Sequence, residues 1–94
     1  MITDRFEWDD EKARVNAINH GGVTFEDACL VFDDLFAVAR EDNRRDYGET
    51  RFVQIGMAAG RLLTVVYAMR GDRIRIISAR KSEPIERRWN HEEE

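Results

Sequence analysis

The chain has 94 residues and a formal net charge of −4, a length that suits one domain over residues 1–94 with a modest core. No run nears the roughly 20 apolar residues of a membrane span, the charged opening Met1–Trp8 lacks an apolar signal core, and the one cysteine excludes an internal disulfide or a Cys-based zinc site. A reducing cytoplasm is the expected location, with no metal and no cofactor.

In chain order, Ile2 to Trp8 reads as a first strand. Asp9 or Asp10 suits a helix N-cap, and the helix runs to about His20 with Gly21 as its left-handed stop. Lys12, Asn16 and His20 fall at i, i+4, i+8 and form one polar stripe. Such a stripe can simply bond neighbouring backbone, or it can bind phosphate and move a proton. Gly21-Gly22-Val23 makes a turn, and Thr24 to Asp27 matches a loose capping box. The second helix carries Phe25, Ala28, Cys29 and Phe32 at core spacing. Cys29 therefore reads as a small buried hydrophobe rather than a nucleophile, and Asp33-Asp34 as solvated acids at the helix end.

Leu35 to Ala39 reads as a short strand and Arg40 to Thr50 as a mobile polar loop. Arg51–Met57, Arg61–Met69 and Arg73–Lys81 are strands, joined by turns at Ala58-Ala59-Gly60 and Arg70-Gly71-Asp72-Arg73. Pro84 suits the first position of a last helix ending near Trp89, with Glu83 as N-cap and Glu86 at N3. Residues 90–94 read as an acidic tail. The order β, α, α, strand meander, α indicates an α+β two-layer fold with an antiparallel central sheet, two N-terminal helices and a C-terminal helix.

Charge divides unevenly along this order. Residues 1–50 carry 13 acids against 6 bases, whereas residues 51–94 carry 6 against 9. Nearly all the later bases are arginine, the side chain shaped for bidentate contact with phosphate or carboxylate. They concentrate where the last strand meets the last helix, where backbone N–H groups also favour an anion. An acidic half and a basic half can serve two different partners.

The sequence also resembles a known family. Trp8-Asp9, Lys12, Asn16 and Asn19-His20-Gly21 are similar to the opening of BrnT-type toxins, as is Val23-Thr-Phe-Glu-Asp-Ala28 through Val31-Phe32. Glu49-Thr-Arg51-Phe52, Ile55-Gly56, Gly60-Arg61-Leu-Leu, Tyr67, Arg70 to Lys81 and Glu86-Arg87-Arg88 follow in order, so the likeness runs from about Phe6 to Trp89. The chain departs from the pattern at Asn19 (usually Lys), at an added Gly22, and at Trp89-Asn90, where a tyrosine is usual. The resemblance implies a RelE-like fold and a ribonuclease that arrests translation. It further implies a type II pair with a BrnA-like ribbon-helix-helix antitoxin, reaching operator DNA only through that complex. A binding module that keeps the fold without the chemistry is the alternative.

Metal-free RNA cleavage needs a proton acceptor for the 2′-OH, cations against the transition-state charge, and a proton for the 5′-oxygen. Candidate catalytic residues are Lys12, His20, Arg80 and Glu86. Candidate RNA-binding residues are Arg51, Arg75, Lys81, Arg87 and Arg88. Glu86 also has a purely structural use, because an N3 Glu often reaches back to the N-cap backbone. Plain alternation sends Arg75 and Arg80 to opposite faces of the sheet unless a bulge intervenes.

Overall fold

The computed structural model describes residues 1–43, 46 and 48–93, the last four of them by their backbone alone. Tyr47 of the expected polar loop and Glu94 of the expected tail lie outside the described residues. Two tight hairpins build the middle of the sheet. β3 (Arg51–Ala58) turns into β4 (Arg61–Arg70) through Ala59 and Gly60, and β4 turns into β5 (Arg73–Lys81) through Gly71 and Asp72. Ala59 and Gly60 both have positive φ, 52° and 79°, the geometry that matches a two-residue turn to the twist of its strands.

β2 (Val38–Asp42) adds to β3, and β1 (Phe6–Glu7) adds to the far side of β5, giving the order β1-β5-β4-β3-β2. The helices are α1 (Asp10–Asn19), α2 (Phe25–Leu30) and α3 (Pro84–Glu93), with a 3₁₀ turn at Val31–Asp33. The class is α+β, as expected, but the sheet is mixed. β1 runs parallel to β5, Phe6 opposite Ile74 and Glu7 opposite Arg75. The direction follows from what comes next, since α1 leaves β1 at once and must run along β5 as far as Ala79, which Asn16 holds.

The first strand is also shorter than expected. The Thr3 hydroxyl accepts from the Phe6 N–H and donates to the Phe6 carbonyl, so the chain turns there before pairing. β2 begins later than expected and takes in Arg40 to Asp42, which the sequence placed in a loop. An edge strand tolerates such polar residues. α3 runs on through residues 90–93 instead of stopping at Trp89, because neither Gly nor Pro ends it.

The core lies between the sheet and α2. Phe25, Ala28 and Val31 meet Leu63, Val65, Ile76 and Ala79, and Trp8 closes one end. An aromatic row crosses it, Phe6 to Phe32 to Tyr67 to Phe52, with centroids 5.5, 4.9 and 5.5 Å apart. Thr64, between Leu63 and Val65 on β4, points to the opposite face, and there it bonds Glu86 of α3. The sheet is therefore covered by α2 on one face and α3 on the other, not on one face alone as a two-layer arrangement requires. The fold-back has a local cause: Glu86 is drawn to Thr64 and Arg80 on that second face.

β5 carries one irregularity that shapes this face. Val66 pairs with Ser78 but Tyr67 pairs with Ile76, so Ile77 is an extra residue. The bulge cancels the odd spacing between Arg75 and Arg80. Arg75 lies opposite Ala68 and Arg80 opposite Thr64, both even positions of β4, so the two arginines share the α3 face instead of dividing between faces.

Candidate active site

Three local devices set the site. The first is the end of α1. Asp9 caps its start by accepting from the Lys12 N–H at 3.0 Å. At its other end the Gly22 N–H reaches the Ala17 carbonyl at 2.8 Å, and Gly21 takes φ 63°. That left-handed turn fixes His20 as the C-cap just past the end of the helix. Lys12, Asn16 and His20 share a face as the spacing predicts, but they divide in use. Asn16 is buried and donates to the Ala79 and Val23 carbonyls while accepting from the Ala79 N–H. Lys12 and His20 line a shallow groove on the outside.

The second device is the start of α3. Glu83 is the N-cap, its carbonyl accepting from the Arg87 N–H at 3.0 Å. Glu86 reaches back to the Glu83 N–H at 2.8 Å. The same carboxylate grips Arg80 with both oxygens, at 2.6 and 2.7 Å, and accepts from the Thr64 hydroxyl at 3.0 Å. Thr64 has one O–H and gives it to Glu86, so the Ser82 hydroxyl, 2.8 Å away, donates to Thr64. Burial works against charge on Glu86, but the Arg80 guanidinium, the Glu83 N–H and the Thr64 hydroxyl outweigh it and hold the carboxyl below its ordinary value. A carboxylate held so firmly ionised suits the positioning of Arg80 better than the uptake of a proton.

The third device is the meeting of these two ends. Asn19, His20 and Gly21 line one groove together with Arg80 and Lys81. His20 thus stands between two grooves, one shared with Lys12 and one with Arg80 and Lys81. Imidazole, ammonium and guanidinium groups from α1 and β5 gather along a single rim.

The remaining expected residues lie further off. Arg75 pairs with Glu7 at 2.7 Å, beside β1. Arg51 begins β3 opposite Asp42, 4.0 Å from Glu49. Arg87 donates to the Ser82 carbonyl at 3.3 Å, and Arg88 is exposed on α3. Cys29 packs against the core and its thiol is pushed up to about 11, burial being the main cause. Of the two acids after α2, Asp33 is exposed and pairs with Arg5. Asp34 is not merely solvated as expected, because its carboxylate accepts from the Phe36 and Met57 N–H groups.

Spacing gives no hint of three further residues. Thr64 sits in an apolar strand run, and Arg40 and Asp42 belong to the stretch that reads as loop. All three converge on the α3 face, where Arg40 lies over the Trp89 ring at 4.5 Å.

Fold and site together define a small α+β domain that holds a clamped arginine, a lysine and a histidine on one rim. The family model for the ribonuclease toxin, BrnT, of type II toxin–antitoxin systems matches residues 8–86, and the chain belongs to that family. No curated protein matches the chain. Membership makes a protein antitoxin the partner class. Among the described residues no helix is long and apolar enough to cross a membrane.

Proposed function

We propose that the chain is an endoribonuclease of RelE-like fold that cleaves RNA without a metal, arrests translation in the cytoplasm, and is neutralised by a BrnA-like ribbon-helix-helix antitoxin. Operator DNA is met only through that complex. The observation that carries the reading is the groove shared by His20, Arg80 and Lys81, in a chain of a ribonuclease toxin family.

The scissile phosphate lies in that groove. The ribose 2′-oxygen attacks phosphorus, the bond to the 5′-oxygen breaks, and the products are a 2′,3′-cyclic phosphate and a 5′-hydroxyl. His20 takes the proton of the 2′-OH and returns it to the departing 5′-oxygen, with Lys12 beside it in the adjoining groove. Arg80 and Lys81 offset the charge that builds on the phosphoryl oxygens. Glu86 is a positioning residue that fixes the Arg80 fork through two hydrogen bonds. Arg87 and Arg88 on α3, with Arg51 and Arg75 further out, attract the RNA backbone.

Purified chain incubated with RNA in the presence of a chelator tests this. Cyclic phosphate termini are expected, with cleavage reduced at least ~100-fold in Arg80→Ala. Loss of cleavage on chelation would remove the metal-free step. One observation favours a second reading, a binding module that cleaves weakly or not at all: both terminal nitrogens of Arg80 face Glu86. That reading predicts antitoxin binding with no RNA products.

A further inference from the structure

Arg80 also lines a second pocket, on the α3 face, which has the apolar and aromatic walls that the rim groove lacks. Its apolar floor is Val53 and Val66, directly opposite each other on β3 and β4. One wall is the Trp89 ring with the Arg40 guanidinium carbon over it, 4.5 Å from the ring centroid. Another carries Asp42, a residue only 7% exposed, with Glu41, Asn43 and the Arg80-bound Glu86 beside it. An apolar floor, an aromatic ring beside a guanidinium and a buried acidic residue suit a nucleobase. Phosphate requires none of them.

Stacking on Trp89 and Arg40 accepts any base. Of the three acids in the lining, Glu86 is held by Arg80 and Glu41 is exposed, which leaves the buried Asp42 to make the choice. An ionised carboxylate only accepts. Guanine alone among the four RNA bases offers two adjacent donors, N1–H and the N2 amino group, spaced for both carboxylate oxygens. Adenine and cytosine offer one amino group beside a ring nitrogen whose lone pair repels a carboxylate. Uracil offers one N–H between two carbonyls.

We propose that this pocket is a guanine subsite, with the base stacked against Trp89 and Arg40 and its Watson–Crick edge read by Asp42. The assignment rests on the RNA-cleavage reading for its substrate. Arg80 is the wall shared with the rim groove, so the selected guanine belongs to a nucleotide next to the cleaved phosphate. A carboxylate has about four lone-pair sites, so Asp42 accepts from the base while keeping a protein partner.

The test titrates the chain with 5′-GMP, AMP, CMP and UMP and follows the indole N–H of Trp89 by NMR. Trp8, buried in the core, is the internal control. GMP is expected to shift Trp89 at a concentration roughly tenfold or more below the other three, the discrimination a good bidentate pair provides. In Asp42→Asn, whose amide donates as well as accepts, the preference should swing toward AMP. Equal shifts by all four nucleotides, a ranking unchanged in Asp42→Asn, or no shift at Trp89 would each overturn the proposal. The wild-type ranking alone decides it if the variant fails to fold. RNA cleavage measured on the same sample separates the two readings. Guanine selection without cleavage leaves the subsite standing and removes the ribonuclease. Cleavage without nucleotide selection does the reverse.

Discussion

Asn16 stands in for a strand that β1 is too short to supply. β1 pairs with β5 only at Ile74 and Arg75, and further along the edge the Asn16 amide satisfies both backbone groups of Ala79 as well as the Val23 carbonyl. Asn16→Ala leaves these three buried groups without their partner and is expected to cost about 2–4 kcal/mol in urea unfolding. Asn16→Asp should be no milder, since a carboxylate cannot donate to the two carbonyls; recovery of wild-type stability would refute the pseudo-strand role. Glu86 gives a pH signature. Its folded-state pKa is depressed, so its contribution is full above the ordinary value of 4.5 and fades as pH falls through the lower folded value. Glu86→Gln should therefore cost about 1–3 kcal/mol near neutrality and flatten the loss of stability on acidification. An unchanged acid limb would contradict the clamp. The Cys29 thiol, pushed up to about 11, stays protonated at neutral pH. It should react with a disulfide reagent far more slowly in the native chain than in urea.

At the scale of elements, close approach decides where the segment between the 3₁₀ turn and β2 can sit. A Cβ on Gly56 would meet Ala37 and Val31 at 3.0 Å and the Asp34 carboxylate at 3.2 Å. Gly56→Ala is expected to lose about 1–3 kcal/mol and lower the melting temperature; a neutral result would mean that this segment is held less tightly than its contacts require. What was legible in the sequence is what neighbours in the chain decide. Asp9 and Gly21 bound α1, Thr24 starts α2, Gly60 and Gly71 turn the hairpins, and the Pro84 and Glu86 logic of α3 appears as the Glu83–Glu86 bond. What was hidden depends on distant partners. Nothing near Phe6 says that it pairs with Ile74, and the bulge at Ile77 lies in a run of isoleucines that reads as unbroken strand. The gathering of Arg40, Asp42, Thr64 and Trp89 around Arg80 requires β2, β4 and α3 to be placed first. Arg80, His20 and Glu86 were nameable from sequence, but the double grip of Glu86 on Arg80 was not.

At the scale of the molecule, charge and exposure point to the partner. The acidic first half also carries Leu35 and Phe36, 94% and 65% exposed, between the 3₁₀ turn and β2. A basic antitoxin segment lying against these acids should bind with an affinity that falls steeply between about 0.05 and 0.5 M salt. Affinity constant over that range would place the contact elsewhere. Conversion of Leu35 to Asp should weaken the same complex without altering RNA cleavage. The proposed chemistry depends most on the rim where α1 ends and β5 meets α3. The decisive measurement is RNA cleavage by purified wild type, Arg80→Ala and His20→Ala side by side, with product termini analysed. Wild type is expected to leave 2′,3′-cyclic phosphate and 5′-hydroxyl ends, with each variant slower by about 100-fold or more while folded and still bound by antitoxin. Equal cleavage by all three, or none by any, would contradict it.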